Sequence, residues 1–255
     1  MENGKALAKE ILSNLGFRVE EISTGDGRTA DLRVIGDTSA YVVEVKDKQE
    51  AEQLTKERTA ALIQGDLHEQ SDLIARNERI RAVLKDAREQ LDATPKDAGT
   101  FQLIWLHGDG LDDGLRTDQA FATFYGHVDL IGKDPPQPDI KGCLYFDYYV
   151  SIEIPTVDAL ILSDSKSFRV CLNEFSPRVN EFRSTELYQA FLAQNCIYDP
   201  IALVSSGKVI SCRTMIQRKY DDEIAKALQE QTGVLYSPLR FTQHSVSAAV
   251  EPAED

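Results

Sequence analysis

A chain of 255 residues, 42% of them hydrophobic, is long enough to bury one large α/β core or two smaller ones. Its formal net charge of −14 opposes long-range attraction to a polyanion, which excludes a tight stand-alone nucleic-acid binder unless a local basic face or a partner supplies positive charge. No apolar run approaches the roughly 18 to 20 residues of a membrane span, and the first helix is amphipathic and charged rather than a signal peptide, so the expectation is a cytoplasmic protein with no membrane partner.

From Asn3 to Leu15 the apolar positions Leu7, Ile11, Leu12 and Leu15 recur at helical spacing, with Glu10 beside the stripe. Gly16 followed by Phe17 reads as a helix stop with its hydrophobic contact. Phe17 to Ile22 is a short strand, and Ser23 to Gly27 turns the chain. Two apolar runs with period two follow, Thr29-Ala-Asp-Leu-Arg-Val-Ile35 and Ala40-Tyr-Val-Val-Glu-Val-Lys46, joined by the turn-forming residues Gly36-Asp37-Thr38-Ser39. They predict an antiparallel hairpin. Whether Ile35 and Ala40 close a four-residue loop or Gly36 and Ser39 a two-residue one, opposed residue numbers sum to 75 (35 + 40 = 36 + 39), so Asp31 faces Glu44. Lys46 then faces Thr29 on the same side of the sheet. Opposed carboxylates with β-carbons roughly 5 Å apart repel unless a cation lies between them, and two carboxylates suit Mg²⁺ or Mn²⁺ better than a soft metal. A neighbouring ammonium can steer water or offset charge on a phosphoryl transition state.

With a long helix beginning near Gln49, the order helix, strand, Asp31 strand, Glu44-Val-Lys46 strand, helix resembles the PD-(D/E)XK nuclease superfamily over about the first 65 residues. The resemblance implies an α/β fold: a restriction-endonuclease-like core with a central mixed sheet flanked by helices, followed by a mixed α/β C-terminal region. It implies that Asp31 and Glu44, with the Val45 carbonyl, ligate Mg²⁺ or Mn²⁺, that Lys46 assists the attacking water, and that Glu10 supports the metal site. Gln53 is the candidate for a glutamine that some branches carry on the following helix, although Gln49 and Gln64 can be offered on similar grounds. Ala30 stands where the family name has proline. The implied function is a metal-dependent endonuclease hydrolysing DNA phosphodiester bonds, compatible with antiviral defence against foreign DNA or with recombination and repair. It would work as a homodimer or with a protein partner that recruits DNA. The same fold also serves as a non-catalytic scaffold or interaction subunit of larger complexes, a reading that a complete Asp31, Glu44 and Lys46 set argues against.

Residues 49 to 93 read as helical with a break at Gly65-Asp66. Within them Arg76, Arg79, Arg81, Lys85 and Arg88 form a basic set on an amphipathic helix, more simply a solvated face than a phosphate contact. Phe101 to Leu106 is a buried strand expected beside the Glu44 strand through a helical crossover. His107 to Gly114 lacks calcium-loop and phosphate-loop spacing and reads as an exit loop. The proline-rich stretch Gly132 to Asp139 suggests a boundary between a nuclease-like unit, 1–131, and a C-terminal region, 140–243, that is either a second domain or the completion of the first sheet. Strands are expected over Leu144–Ile154, Ala159–Leu162, Phe168–Leu172, Ile201–Val204 and Val209–Ile210, and helices over Thr185–Gln194 and Asp221–Gln231. Residues 244–255 read as a disordered acidic tail. Cys143, Cys171, Cys196 and Cys212 form no C-x-x-C pair and read as reduced core thiols.

Overall fold

The structure, a computed structural model, describes residues 3–23, 28–50, 52–110, 112–133 and 139–248. The chain runs through helix α1 (Asn3–Asn14), strands β1 (Arg18–Glu21), β2 (Leu32–Ile35) and β3 (Ala40–Lys48), α2 (Glu52–Ile63), β4 (His68–Leu73), α3 (Glu78–Ala93), β5 (Phe101–Gly108) and α4 (Asp113–Tyr125). It continues through β6 (Val128–Gly132), β7 (Ile140–Leu144), β8 (Ala159–Ser163), β9 (Phe168–Leu172), α5 (Val179–Arg183), α6 (Glu186–Ala193) and β10 (Ile197–Tyr198). Last come α7 (Pro200–Ser205), β11 (Val209–Ser211), α8 (Asp221–Thr232), β12 (Tyr236–Leu239) and β13 (Thr242–Ser247). No helix among the described residues is long and apolar enough to cross a membrane.

The architecture is α/β, with a central mixed sheet flanked by helices. Its strand order is β1-β2-β3-β5-β8-β9-β10. β1, β2 and β3 form an antiparallel meander, and β5 then runs parallel to β3 from Tyr41↔Phe101 to Lys48↔Gly108. Alternation along the strands splits the core in two. Val42, Ile104, Leu106 and Leu160 face α3 and α4 through Ile80, Leu84, Phe121 and Phe124. Val43, Leu103, Trp105 and Ile161 face α1, α5 and α6 through Ala8, Leu12, Phe182 and Phe191. Gly16 ends α1 with φ +91°, and Phe17 meets the Tyr41 ring edge-on at 6.1 Å. β8, β9 and β10, all beyond the proline-rich stretch, complete the sheet that carries β3, the second of the two possibilities left open for the C-terminal region. On either side of that stretch, whose residues 134–138 lie outside the described residues, β6 and β7 pair with each other in a second sheet, β11-β7-β6-β12, covered by Ile224 and Leu228 of α8.

Four sequence expectations need correction. The 49–93 region is not helical throughout, because His68–Leu73 is a strand whose partner, β13, lies more than 160 residues away (242 − 73 = 169). The same pairing puts 244–247 of the expected tail in a strand, while 249–255 lie outside the described residues. The expected strand over Leu144–Ile154 stops at Leu144, since Tyr145 adopts φ +62° and turns the chain, although Tyr145, Phe146, Val150 and Ile154 remain buried. The expected strand over Ile201–Val204 is helix α7, because Asp199 accepts from the Ile201 and Ala202 amides and Pro200 occupies the first turn.

The β2–β3 register runs Leu32↔Val43, Arg33↔Val42, Val34↔Tyr41 and Ile35↔Ala40, each pair summing to 75, and the Gly36 amide donates to the Ser39 carbonyl at 2.9 Å. Glu186 at the start of α6 clamps this turn. Its carboxylate accepts from the Thr38 amide at 3.0 Å, the Thr38 hydroxyl at 2.8 Å and the Ser39 amide at 3.1 Å. Burial works to raise the Glu186 pKa, but the donors from Thr38 and Ser39 outweigh it and hold the carboxyl at about 2. A depressed pKa of this kind stabilises the fold fully above the unfolded value near 4.5 and loses its effect as the pH falls towards 2. Glu186→Gln is therefore expected to lower stability at pH 7 by about 1 kcal/mol after discounting for solvent, or roughly 2–4 °C in Tm. The gap from the wild type should narrow below pH 4.5 in thermal unfolding; an equal gap at pH 7 and pH 3 would show that the clamp is not electrostatic.

Candidate active site

The hairpin leads directly into the site. Asp31 sits at the bend before β2, where the β2–β3 pairing ends at Leu32↔Val43; its amide donates to the Val43 carbonyl at 3.1 Å, one residue off the register (31 + 43 = 74), and its carboxylate lies close enough to Glu44 to raise the Glu44 pKa. Upstream, the Ala30 amide donates to the Thr94 hydroxyl at 2.7 Å, tying this bend to the end of α3. Asp31 is held at both oxygens: Oδ2 accepts from the Val45 amide at 2.9 Å, and Oδ1 pairs with Lys5 Nζ from α1 at 2.8 Å.

Glu44 is only 2% exposed. Its Oε1 meets Lys46 Nζ at 2.8 Å, while its Oε2 is buried with no hydrogen-bond partner among the described residues. Lys46 bridges onward to Asp86 Oδ2 on α3 at 3.1 Å, and Asp86 is held in turn by Arg28 at 2.5 Å and by the Gln90 amide at 2.9 Å. Burial raises the Glu44 pKa, Lys46 opposes that shift and Asp31 adds to it, leaving the carboxyl at about 7. Burial pulls the Lys46 amine down, but Glu44 and Asp86 outweigh it and the amine ends above its ordinary range. Lys46 is thus a firm ammonium at neutral pH.

The residues expected at the site divide sharply. Asp31, Glu44 and Lys46 converge, and Val45 meets Asp31 through its amide. Glu10 does not: it is exposed on α1, about 140° around the helix from Lys5, the residue of α1 that reaches Asp31. Gln53 does not either, because α2 buries none of its residues and the Gln53 amide donates to Glu57 at 2.7 Å on the helix surface. His107 is a local buried group, its ring 3.0 Å from the Ser163 hydroxyl, and His127 lies 3.8 Å from Asp129. Sequence reasoning missed Lys5, Asp86, Gln90 and Arg28. The only signal for them was position: Lys5 lies one turn before Ala8 on the edge of the apolar stripe, and Asp86 and Gln90 share a helical stripe with Val83.

As a metal site the arrangement offers hard oxygen donors from two carboxylates, one of them with a buried unpartnered oxygen. No group of three or more His, Cys, Asp or Glu side chains is arranged to hold a metal among the described residues. Two carboxylates still fit Mg²⁺ or Mn²⁺, since such ions commonly keep several waters or substrate oxygens as their remaining ligands. No protein-family model, curated protein or solved structure matches the chain.

A carboxyl raised to about 7 has the opposite linkage to Glu186. Between pH 4.5 and 7 the unfolded chain has released the Glu44 proton and the folded chain retains it, so stability falls with rising pH, by about 3 kcal/mol in all. In the presence of a chelator, Glu44→Gln should gain stability relative to wild type as the pH is raised from 4.5 to 8, measured by denaturant unfolding. A pH-independent difference would mean that Glu44 ionises freely in the fold.

Proposed function

We propose that this chain is a metal-dependent phosphodiesterase acting on DNA. In this reading Asp31, Glu44 and the Val45 carbonyl hold Mg²⁺ or Mn²⁺, and Lys46 acts beside them. Glu44 carries the reading: a carboxyl kept almost wholly from water, beside a second carboxylate, with one oxygen lacking a donor among the described residues. Such an arrangement costs stability unless a cation is present at least part of the time. A divalent ion held there supplies Lewis-acid stabilisation to a phosphodiester under attack.

The chain's own groups fill the other roles. Lys46, fixed between Glu44 and Asp86, presents an ammonium that orients the attacking water and offsets charge gathering on the phosphoryl oxygens. Because its proton is held above the ordinary lysine range, it serves as an electrostatic group and not as the base. Asp86 is a positioning residue that fixes Lys46, and Gln90 and Arg28 fix Asp86. Glu10 takes no part.

A second reading, a non-catalytic scaffold of the same fold, draws support from Lys5. Its ammonium on Asp31, with Lys46 on Glu44, gives each carboxylate one positive partner from within the chain. The two readings separate in one assay. With Mg²⁺ or Mn²⁺, the wild type is expected to nick supercoiled plasmid, and Asp31→Ala and Lys46→Ala to lose at least a hundredfold in rate, the scale set by loss of an electrostatic catalytic contact. Cutting that persists in both variants would place the chemistry elsewhere; no cutting by any form would favour the scaffold.

A further inference from the structure

Glu44 and Lys46 project from the face of β3 that Val42 packs against α3, and Lys48, two residues further on, extends the same face. Lys48 makes no hydrogen bond or ion pair from its amine among the described residues. Its carbonyl accepts from the Asp109 amide at 3.1 Å, which brings the β5–α4 loop and Arg116 of α4 alongside. Arg116 is 8% exposed, and its Nη1 is buried with no hydrogen-bond partner among the described residues. Its Nη2 lies 3.9 Å from Glu50, but both Glu50 oxygens are already held by Arg58 at 2.7 and 2.6 Å. Arg79, on the helical stripe of α3 that also carries Asp86, lies near enough to act on the Lys48 amine. The other members of the basic set on and beside α3 are neutralised: Arg76 by Glu78, Arg81 and Lys85 by Glu153, and Arg88 by Asp92. Arg79 has no such partner among the described residues. Burial and the nearby Arg79 and Arg116 guanidinium groups push the Lys48 amine below its ordinary range, as expected where cations gather.

We propose that Lys48, Arg79 and Arg116 seat a second phosphate of the same nucleic-acid strand, adjacent to the phosphodiester placed at Glu44 and Lys46. The inference rests on the phosphodiesterase reading for its substrate class. Successive same-face residues of a strand stand about 6.6 Å apart, so Lys46 and Lys48 address neighbouring points along an extended chain and not one small anion. The seat also answers the charge problem, because it concentrates three cations beside the site in a molecule that is strongly acidic overall.

The test reads binding and not cleavage. A fluorescein-labelled 12-nucleotide DNA strand is titrated with protein in chelator, by anisotropy, across a range of salt concentrations. Lys48→Gln/Arg79→Gln is expected to weaken binding about tenfold and to reduce the slope of log K against log salt by roughly 0.7, as loss of one neutralised phosphate on a single strand requires. Arg18→Gln, which removes an exposed cation from β1, should change neither. Absence of binding by the wild type, unchanged affinity in the double variant, or an equal loss in Arg18→Gln would overturn the seat. A strand that binds through the seat but is never cut under metal would overturn the nuclease reading alone; a strand cut by wild type with affinity unchanged in the double variant would overturn the seat alone.

Discussion

The register of the β2–β3 hairpin is the constraint on which the rest of the site depends. A one-residue slip would send Glu44, Lys46 and Lys48 to the α1 face and bring Val43 and Val45 to the α3 face, destroying both apolar layers at once. The core therefore enforces the register that brings Asp31 beside Glu44. Two local devices agree with it: the Gly36 to Ser39 turn and the Glu186 clamp on Thr38 and Ser39. Parallel pairing of β3 with β5 then extends the strand far enough to present three charged side chains in a row beyond Val42.

Electrostatics at this place runs against stability. Keeping Glu44 from water beside Asp31 costs about 3 kcal/mol at neutral pH, a sizeable share of the roughly 5–15 kcal/mol that holds a typical domain together. Two ammonium groups, Lys5 and Lys46, offset the charge without satisfying Glu44 Oε2. A well-packed leucine or glutamine would avoid most of that cost. Perturbed groups that are retained at such expense concentrate at functional sites, and here the perturbation coincides with a charge arrangement suited to a divalent ion and a phosphodiester.

Legibility in the sequence followed the range of the interactions. The hairpin and its register from Leu32 to Ala40 were readable because alternation and turn chemistry are local, and the Phe101 strand because a short apolar run can only be buried. The helices Glu186–Ala193 and Asp221–Thr232 were readable from periodicity. β4 was not, since its polar alternation acquires meaning only from β13, far along the chain. α7 was not, because the Asp199 cap overrides the strand preference of Ile201 and Val204. At the site, Glu10 was expected and Lys5 was found. Periodicity placed Glu10 beside the apolar stripe, and Lys5 lies at its other rim, but the direction of α1 over the sheet decides which rim meets Asp31, and that is a tertiary fact. The unpaired cations likewise could not be told from the paired ones until Glu153, Asp92 and Glu78 were in place around α3.

Direct measurement of Mn²⁺ binding by water-proton relaxation at pH 8 tests the central claim, that the neighbouring carboxylates form a metal site. The account predicts binding by the wild type and by Glu10→Gln, and its loss in Asp31→Asn and Glu44→Gln. Binding that survives Glu44→Gln, or that disappears with Glu10→Gln, would contradict it.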